Sequence, residues 1–310
     1  VGISYNQPKL CSNASWNASA VTFADLTTIG YDPFGLFITI NNTIASTSIN
    51  SSFILIWTQG SILSIQKNLS ETKQRPYSIF LSDNDDVYVD NGIYAGQISK
   101  CSYNLTNCQS AMTICGSCLS IFVSIKNDLY CSQSAYHQIV SKPLTSNSIV
   151  YSVVAGTGVL GSALDQLNNP YGIYVSTNLD LYVADFNNNR IQKFTYGQNS
   201  GTIVAGDTTT IILNNPSSVV LDVDEYLFIV DRGNHRLIGS GLDGFRCIAA
   251  CSLSSGSTYD TLYYPATMSF DSSGNIYITD QFNNRIQKFV LIENTCGKIL
   301  FHIIFHFILS

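Results

Sequence analysis

Residues 170–194 read PYGIYVSTNLDLYVADFNNNRIQKF, and this stretch decides the fold. Two short apolar runs, 173–175 and 181–183, are separated by a polar turn, as buried strands are. A third run, 190–194, follows the Asn-rich turn at 186–189, where Asn tolerates left-handed backbone angles. Residues 202–205, closed by Gly206, supply a fourth strand.

The unit recurs. From Pro216 the chain reads PSSVVLDVDEYLFIVDRGNHRLI, and from Pro265 PATMSFDSSGNIYITDQFNNRIQKF. Fifteen residues separate Pro170 from Asp185, Pro216 from Asp231 and Pro265 from Asp280. Five more lead to Arg190, Arg236 and Arg285. Weaker copies start at Pro33, at Pro76 with Asn91 in the Asp place, and at Cys118 with Gln133 there. The steps between successive starts are 43, 42, 52, 46 and 49 residues. Four short strands per unit of this length describe a propeller blade. The sequence therefore predicts an all-β, six-bladed β-propeller with four antiparallel strands per blade, over residues 21–292. An N-terminal segment, 1–20, precedes it and an apolar tail, 293–310, follows.

The pattern P-x-G-[IV]-x-[VL], then L-Y-[VI]-x-D-x-x-N-[NH]-R-[IL], resembles the NHL repeat. The match is strong over 170–289, moderate over 76–140 and thin over 33–56. The resemblance implies a ring closed by an N-terminal strand that completes the last blade, which removes free sheet edges. Residues 21–24, VTFA, fit that role, standing before Pro33 much as 204–206 stand before Pro216.

The pairs Asp185–Arg190, Asp231–Arg236 and Asp280–Arg285 read as structural because they repeat. A carboxylate at a strand end can accept N–H bonds from the following turn, and the Arg can pair with it. Their absence from the first three units predicts less regular blades there. His137 and His235 fill the slot of Asn189 and Asn284, so they read as turn residues. Two such histidines do not supply the metal set of the lyases that resemble NHL propellers. Asp25, Asp32, Asp165, Asp207 and Glu225 are scattered. Residues 154–158 and 204–207 lack the continuation of a phosphate loop, and no G-x-S-x-G elbow supports a serine triad. No catalytic residue, metal or cofactor is expected. Contact candidates are the residues that vary in one rim's turns: Phe186, Asn187, Arg232, His235, Gln281 and Phe282. Loops on a rigid scaffold carry recognition.

Composition narrows the class. A net charge of −6 with only 12% charged residues disfavours nucleic-acid binding. Eighteen Tyr and sixteen Phe exclude a disordered chain. Of nine cysteines, five lie between 101 and 131. Cys115 and Cys118 form a C-x-x-C without the further ligands of a zinc site, which favours disulfides and leaves an odd thiol. Sequons stand at Asn13, Asn17, Asn41, Asn50, Asn68 and Asn104. Sequons and cysteines together point to the secretory pathway. The chain opens at Val1 without Met or a signal peptide, so it reads as processed or partial. Residues 299–309, ILFHIIFHFIL, are too few to span a membrane. They read as a truncated end or a removable lipid-anchor signal, and membrane attachment is expected only in the second case.

The expectation is a secreted, disulfide-bearing, N-glycosylated monomer whose rim binds a protein or glycan without catalysis. One rival is an intracellular NHL module of a ubiquitin ligase or RNA-binding protein, which requires a basic rim. Another is a metal-dependent propeller lyase or hydrolase, which requires a bound metal.

Overall fold

The computed structural model describes residues 4–50, 53–61, 63–68, 75–92, 96–145, 150–207 and 209–295. Blade 1 comprises Pro33–Ile38, Ile44–Ser48, Phe53–Trp57 and Ile65–Asn68. Blade 2 comprises Ile79–Leu81, Asp86–Asp90, Gln97–Ser102 and Gln109–Thr113. Ile121–Val123, Asp128–Gln133, Gln138–Pro143 and Ser152–Ala155 make blade 3. Pro170–Val175, Leu181–Asp185, Arg190–Phe194 and Thr202–Ala205 make blade 4. Blade 5 holds Pro216–Leu221, Leu227–Asp231, Arg236–Gly241 and Gly244–Ala249. Blade 6 holds Met268–Phe270, Ile276–Asp280 and Arg285–Phe289, and Val21–Ala24 is its outer strand. Each sheet is antiparallel, and each inner strand touches the next around the ring, blade 6 against blade 1 included. Ring closure thus falls where the sequence placed it. A second pair, Ser15–Trp16 with Leu291–Glu293, adds to it.

All six turns between first and second strands share one construction that the sequence reading missed. A side-chain oxygen of Thr39, Ser82, Ser124, Ser176, Asp222 or Asp271 accepts the backbone N–H four residues on. The backbone then turns left-handed at Asn42, Asp85, Asn127, Leu179, Glu225 and Gly274. Thr, Ser and Asp do the same work here, so residue identity conceals the sixfold rule.

The turns between second and third strands are regular in blades 3 to 6. Each is a single 3-10 turn: Ser134–Tyr136, Phe186–Asn188, Arg232–Asn234 and Gln281–Asn283. A left-handed residue closes each one: His137, Asn189, His235 or Asn284. These four side chains reach the next blade. His137 Nδ1 accepts the Asn169 N–H at 3.1 Å, and His235 Nδ1 accepts that of Tyr264 at 3.1 Å. Asn189 Oδ1 accepts the Asn215 N–H at 2.8 Å, and Asn284 Oδ1 that of Asp32 at 3.0 Å. A neutral imidazole nitrogen and an amide oxygen are interchangeable as acceptors. Both histidines are turn residues, as expected, and also latches between blades.

The Asp/Arg pairs are buried bonds of 2.8, 2.7 and 2.7 Å. One expectation is corrected. The carboxylates take their backbone N–H bonds from the loop entering the blade, at Asn168, Asn214 and Tyr263, and not from the following turn. The following turn contributes only an Asn side chain: Asn188, Asn234 or Asn283. Its own backbone is committed to the 3-10 turn. Arg190 and Arg285 donate onward to carbonyls of that entering loop, Ser162 and Ala163 or Ser257 and Thr258. Blade 3 is as regular as blades 4 to 6, contrary to expectation. There Gln138 donates to Gln133 Oε1 at 2.7 Å, an uncharged replacement in register with the ion pair. Among the described residues the 3-10 turn is absent only from blades 1 and 2.

Disulfides join Cys101 to Cys108, Cys118 to Cys131 and Cys247 to Cys251. Cys11 is also disulfide-bonded, and Cys115 is an exposed free thiol. The 299–309 tail and Cys296 lie outside the described residues. No helix among the described residues is long and apolar enough to cross a membrane.

Asp90 is fully buried between blades 2 and 3. Its carboxylate accepts the N–H groups of Gly92 and Cys118, both at 3.1 Å. Burial outweighs these bonds and pushes the carboxyl up to about 7. The folded chain holds this proton, whereas an unfolded Asp releases it near 3.9. The resulting stability is fully present below about pH 4 and lost as pH rises through about 7. Urea unfolding is expected to show a loss of roughly 2–3 kcal/mol from pH 5 to pH 8, which Asp90→Asn removes. An Asp90→Asn protein with the wild-type pH slope would show that the proton sits elsewhere. His235 acts in the opposite sense below its ordinary pKa, because burial and then Arg232 lower it.

Candidate binding site

Propellers offer two places for a ligand, the central channel and the faces. The channel is closed at both ends. Phe34 of blade 1 and Tyr171 of blade 4 stand on opposite sides of the ring, yet their centroids are 6.2 Å apart. Tyr77 packs edge-on against Phe34 at 5.6 Å. These rings cap the end that carries the 3-10 turns.

The far end is closed by the N-terminal segment. Tyr5 packs on Phe122 and Tyr174, with centroids at 5.1 and 5.4 Å. The Asn6 amide donates to Thr39 O of blade 1 and Phe270 O of blade 6. The Gln7 amide donates to Asp222 O of blade 5. Burial pushes the Tyr5 phenol up to about 12, so the plug stays uncharged. What remains inside is a void of about 70 Å³ lined by apolar and Ser side chains such as Ile121, Ile173, Val219 and Ser120. Ligand pockets run to roughly 300–1,000 Å³. Among the described residues no group of three or more His, Cys, Asp and Glu is placed to hold a metal.

The six rim candidates separate. Asn187 is exposed, and Phe282 is 47% exposed. Phe186 stacks on Tyr171 at 4.0 Å and 12°. Arg232 and Gln281 are buried. Arg232 donates to the Gln281 Oε1 at 2.6 Å and to the carbonyls of Tyr264 and Pro265. Its guanidinium, placed over Tyr264 and Phe282, ties blade 5 to blade 6. His235 is committed to Tyr264. The structure therefore leaves Asn187 and Phe282 with exposed side chains on this rim.

Concavities of ligand size are on the opposite face. A cleft of about 590 Å³ opens between blades 2 and 3. One wall is a cross-strand row of blade 2: Phe80, Tyr88, Lys100 and Gln109. Ser82, Asp83, Asn84, Asp86 and all of Gln109–Thr113 extend that wall, and blade 3 supplies Val123, Ser124, Ile125, Asn127, Lys142 and Leu144. Lys100 pairs with Asp86 at 2.7 Å, its ammonium 5.9 Å from the Tyr88 centroid. The Asp86 bond raises the Lys100 pKa, so the ammonium stays charged. The Lys142 ammonium donates to Ala111 O at 2.7 Å, where a bulge shifts the outer strand. Asp83 and Asp86 balance the two lysines. The Cys101–Cys108 disulfide ends one residue before Gln109 and fixes the outer wall. A second groove of about 410 Å³ lies between blades 3 and 4, beside Tyr196. Neither cleft was legible in the sequence. Their walls belong to separate repeats, and only the invisible sixfold turn would have aligned them.

A family model of the NHL repeat matches residues 167–194. No protein of curated function matches the chain in sequence. A Bacteroides thetaiotaomicron protein of unknown function has a similar structure, with TM-score 0.71 and 15% identity over 88% of this chain and 76% of that one. An auxiliary nutrient binding protein from Bacteroides ovatus gives TM-score 0.66 and 14% identity over 94% and 76%. A virginiamycin B lyase from Staphylococcus aureus gives 0.59 and 15% over 84% and 80%. At such identities the likeness is one of fold. The repeat spacing, the six-bladed ring and the family match at residues 167–194 support an NHL-repeat β-propeller.

Proposed function

We propose that the chain is an extracellular binding module for a protein or glycan, working without catalysis, and that the cleft between blades 2 and 3 is its recognition site. The observation that carries this reading is the contrast between a plugged channel with about 70 Å³ left and a cleft of about 590 Å³. The solved neighbours include proteins named for nutrient binding, which fits a binding role. Others are named as lyases or gluconolactonases; a reaction within the channel would need the Tyr5 plug or the Phe34–Tyr171 cap to move. Three described disulfides favour an oxidising compartment.

Five of the six sequon asparagines, Asn13, Asn17, Asn41, Asn50 and Asn104, are exposed or half-buried; the Asn68 side chain lies outside the described residues. The compartment is tested by gel mobility of the native protein before and after N-glycan removal. A downward shift is expected. An unchanged band with reduced thiols would overturn the extracellular reading and favour the intracellular module.

A further inference from the structure

The ring contains its own demonstration of what an inter-blade cleft accepts. Between blades 5 and 6 the equivalent space is filled by the N-terminal segment. Its blade 5 wall is the row Val220, Phe228, Gly239 and Arg246, in register with Phe80, Tyr88, Lys100 and Gln109 of blade 2. Leu10, Ala14 and Trp16 pack into this space, leaving about 10 Å³. Trp16 stands edge-on to Phe228 at 5.9 Å. The Arg246 guanidinium donates to the backbone carbonyls of Ser12 and Ala14. The occupant is a segment that turns at Ser12 and Asn13, where the Ala14 N–H bonds to Cys11 O at 2.9 Å, held by a cation on its carbonyls and a bulky apolar side chain in the floor.

We infer that the cleft between blades 2 and 3 binds a peptide segment carrying a bulky apolar residue, presented by another protein. This rests on the reading of that cleft as the recognition site and names its ligand. The cleft keeps an aromatic, Tyr88, in the Phe228 place, and has Lys100 for Gly239 and Gln109 for Arg246. Half-buried Leu144 lines it, with Phe80, Met112 and Val123 buried in its walls. Lys142 spends one donor on Ala111 O and has two more for a peptide carbonyl. Gln109 is exposed in the Arg246 position and offers an amide donor. A glycan fits less well. Sugars are gripped by stacking on open aromatic faces, and Phe80 and Tyr88 are buried at 1% and 2% exposure. The lysines, balanced by two carboxylates, suit the paired donors and acceptors of a peptide backbone.

The test is selection of a phage-displayed library of linear dodecapeptides on the full propeller. Enriched peptides are expected to share one bulky apolar residue. Their binding, measured by titration, is expected to weaken at least tenfold in Ser110→Trp, which fills the cleft from an exposed position. Lys142→Ala is a second variant, in case the first disturbs the sheet; unfolding midpoints check both. A glycan array is run in parallel. Peptides that bind the variants as well as the wild type would overturn the peptide inference. Cleft-dependent glycan binding without peptide binding would overturn it too, while leaving the binding module intact. If neither ligand class depends on the cleft, the recognition site itself is wrong.

Discussion

Replacing Asp280 with alanine is expected to lower the unfolding free energy by about 3–5 kcal/mol, since removing one member of a buried pair strands the other. Asp280 is fully buried, and its Oδ2 takes the Arg285 Nε–H at 2.7 Å. Its Oδ1 holds the Tyr263 N–H, also at 2.7 Å. Burial raises the carboxyl above its ordinary range despite these bonds and the one from Asn283. Desolvation thus outweighs the attraction, and what the pair supplies is geometry. It fixes the hairpin of blade 6 and, through Arg285, the loop at 257–261 that leads into the blade. Blade 3 shows the same job done by Gln133 and Gln138. The double variant Asp280→Gln with Arg285→Gln is therefore expected to recover most of the loss. Urea unfolding measures both. A loss below about 1 kcal/mol in Asp280→Ala would refute the structural role.

Trp16→Ala is expected to cost about 3–5 kcal/mol, the usual range for deleting a large buried ring. Trp16 is buried against Phe228, and its Nε1–H donates to Gly274 O at 2.9 Å. It also belongs to the closing strand pair with Leu291–Glu293. The variant should therefore lose stability and reopen the cleft between blades 5 and 6. Hydrogen exchange at Leu291 and at the neighbours of Trp16 is expected to accelerate before global unfolding. Unchanged exchange there, with full stability, would show that the segment is a passenger on the ring.

The two halves of the chain differ in how readily they can be read. In 170–289 each blade repeats Pro, Asp and Arg at fixed spacing, because one buried ion pair per blade demands those types there. In blade 3 Gln133 and Gln138 meet the same need without charge, so the pattern fades although the blade stays regular. The variable rim positions misled for a related reason. Arg232 and Gln281 differ from their counterparts because they bond to each other across a blade junction. Variation among repeats looks the same whether it serves a ligand or a neighbour.

The sequence by itself determined the blade number, the strand order, the closing strand and the structural character of the Asp/Arg pairs. All of these are local or periodic, and period survives in one dimension. Only the tertiary structure decided that the channel is shut and that a cleft stands open between blades 2 and 3. Tyr5 meets Phe122 and Tyr174 across more than a hundred residues. The filled and open clefts differ in where one N-terminal segment lies. No spacing encodes such a path; it follows from closing the ring and seating the segment where Trp16 meets Phe228 and Arg246 holds its carbonyls.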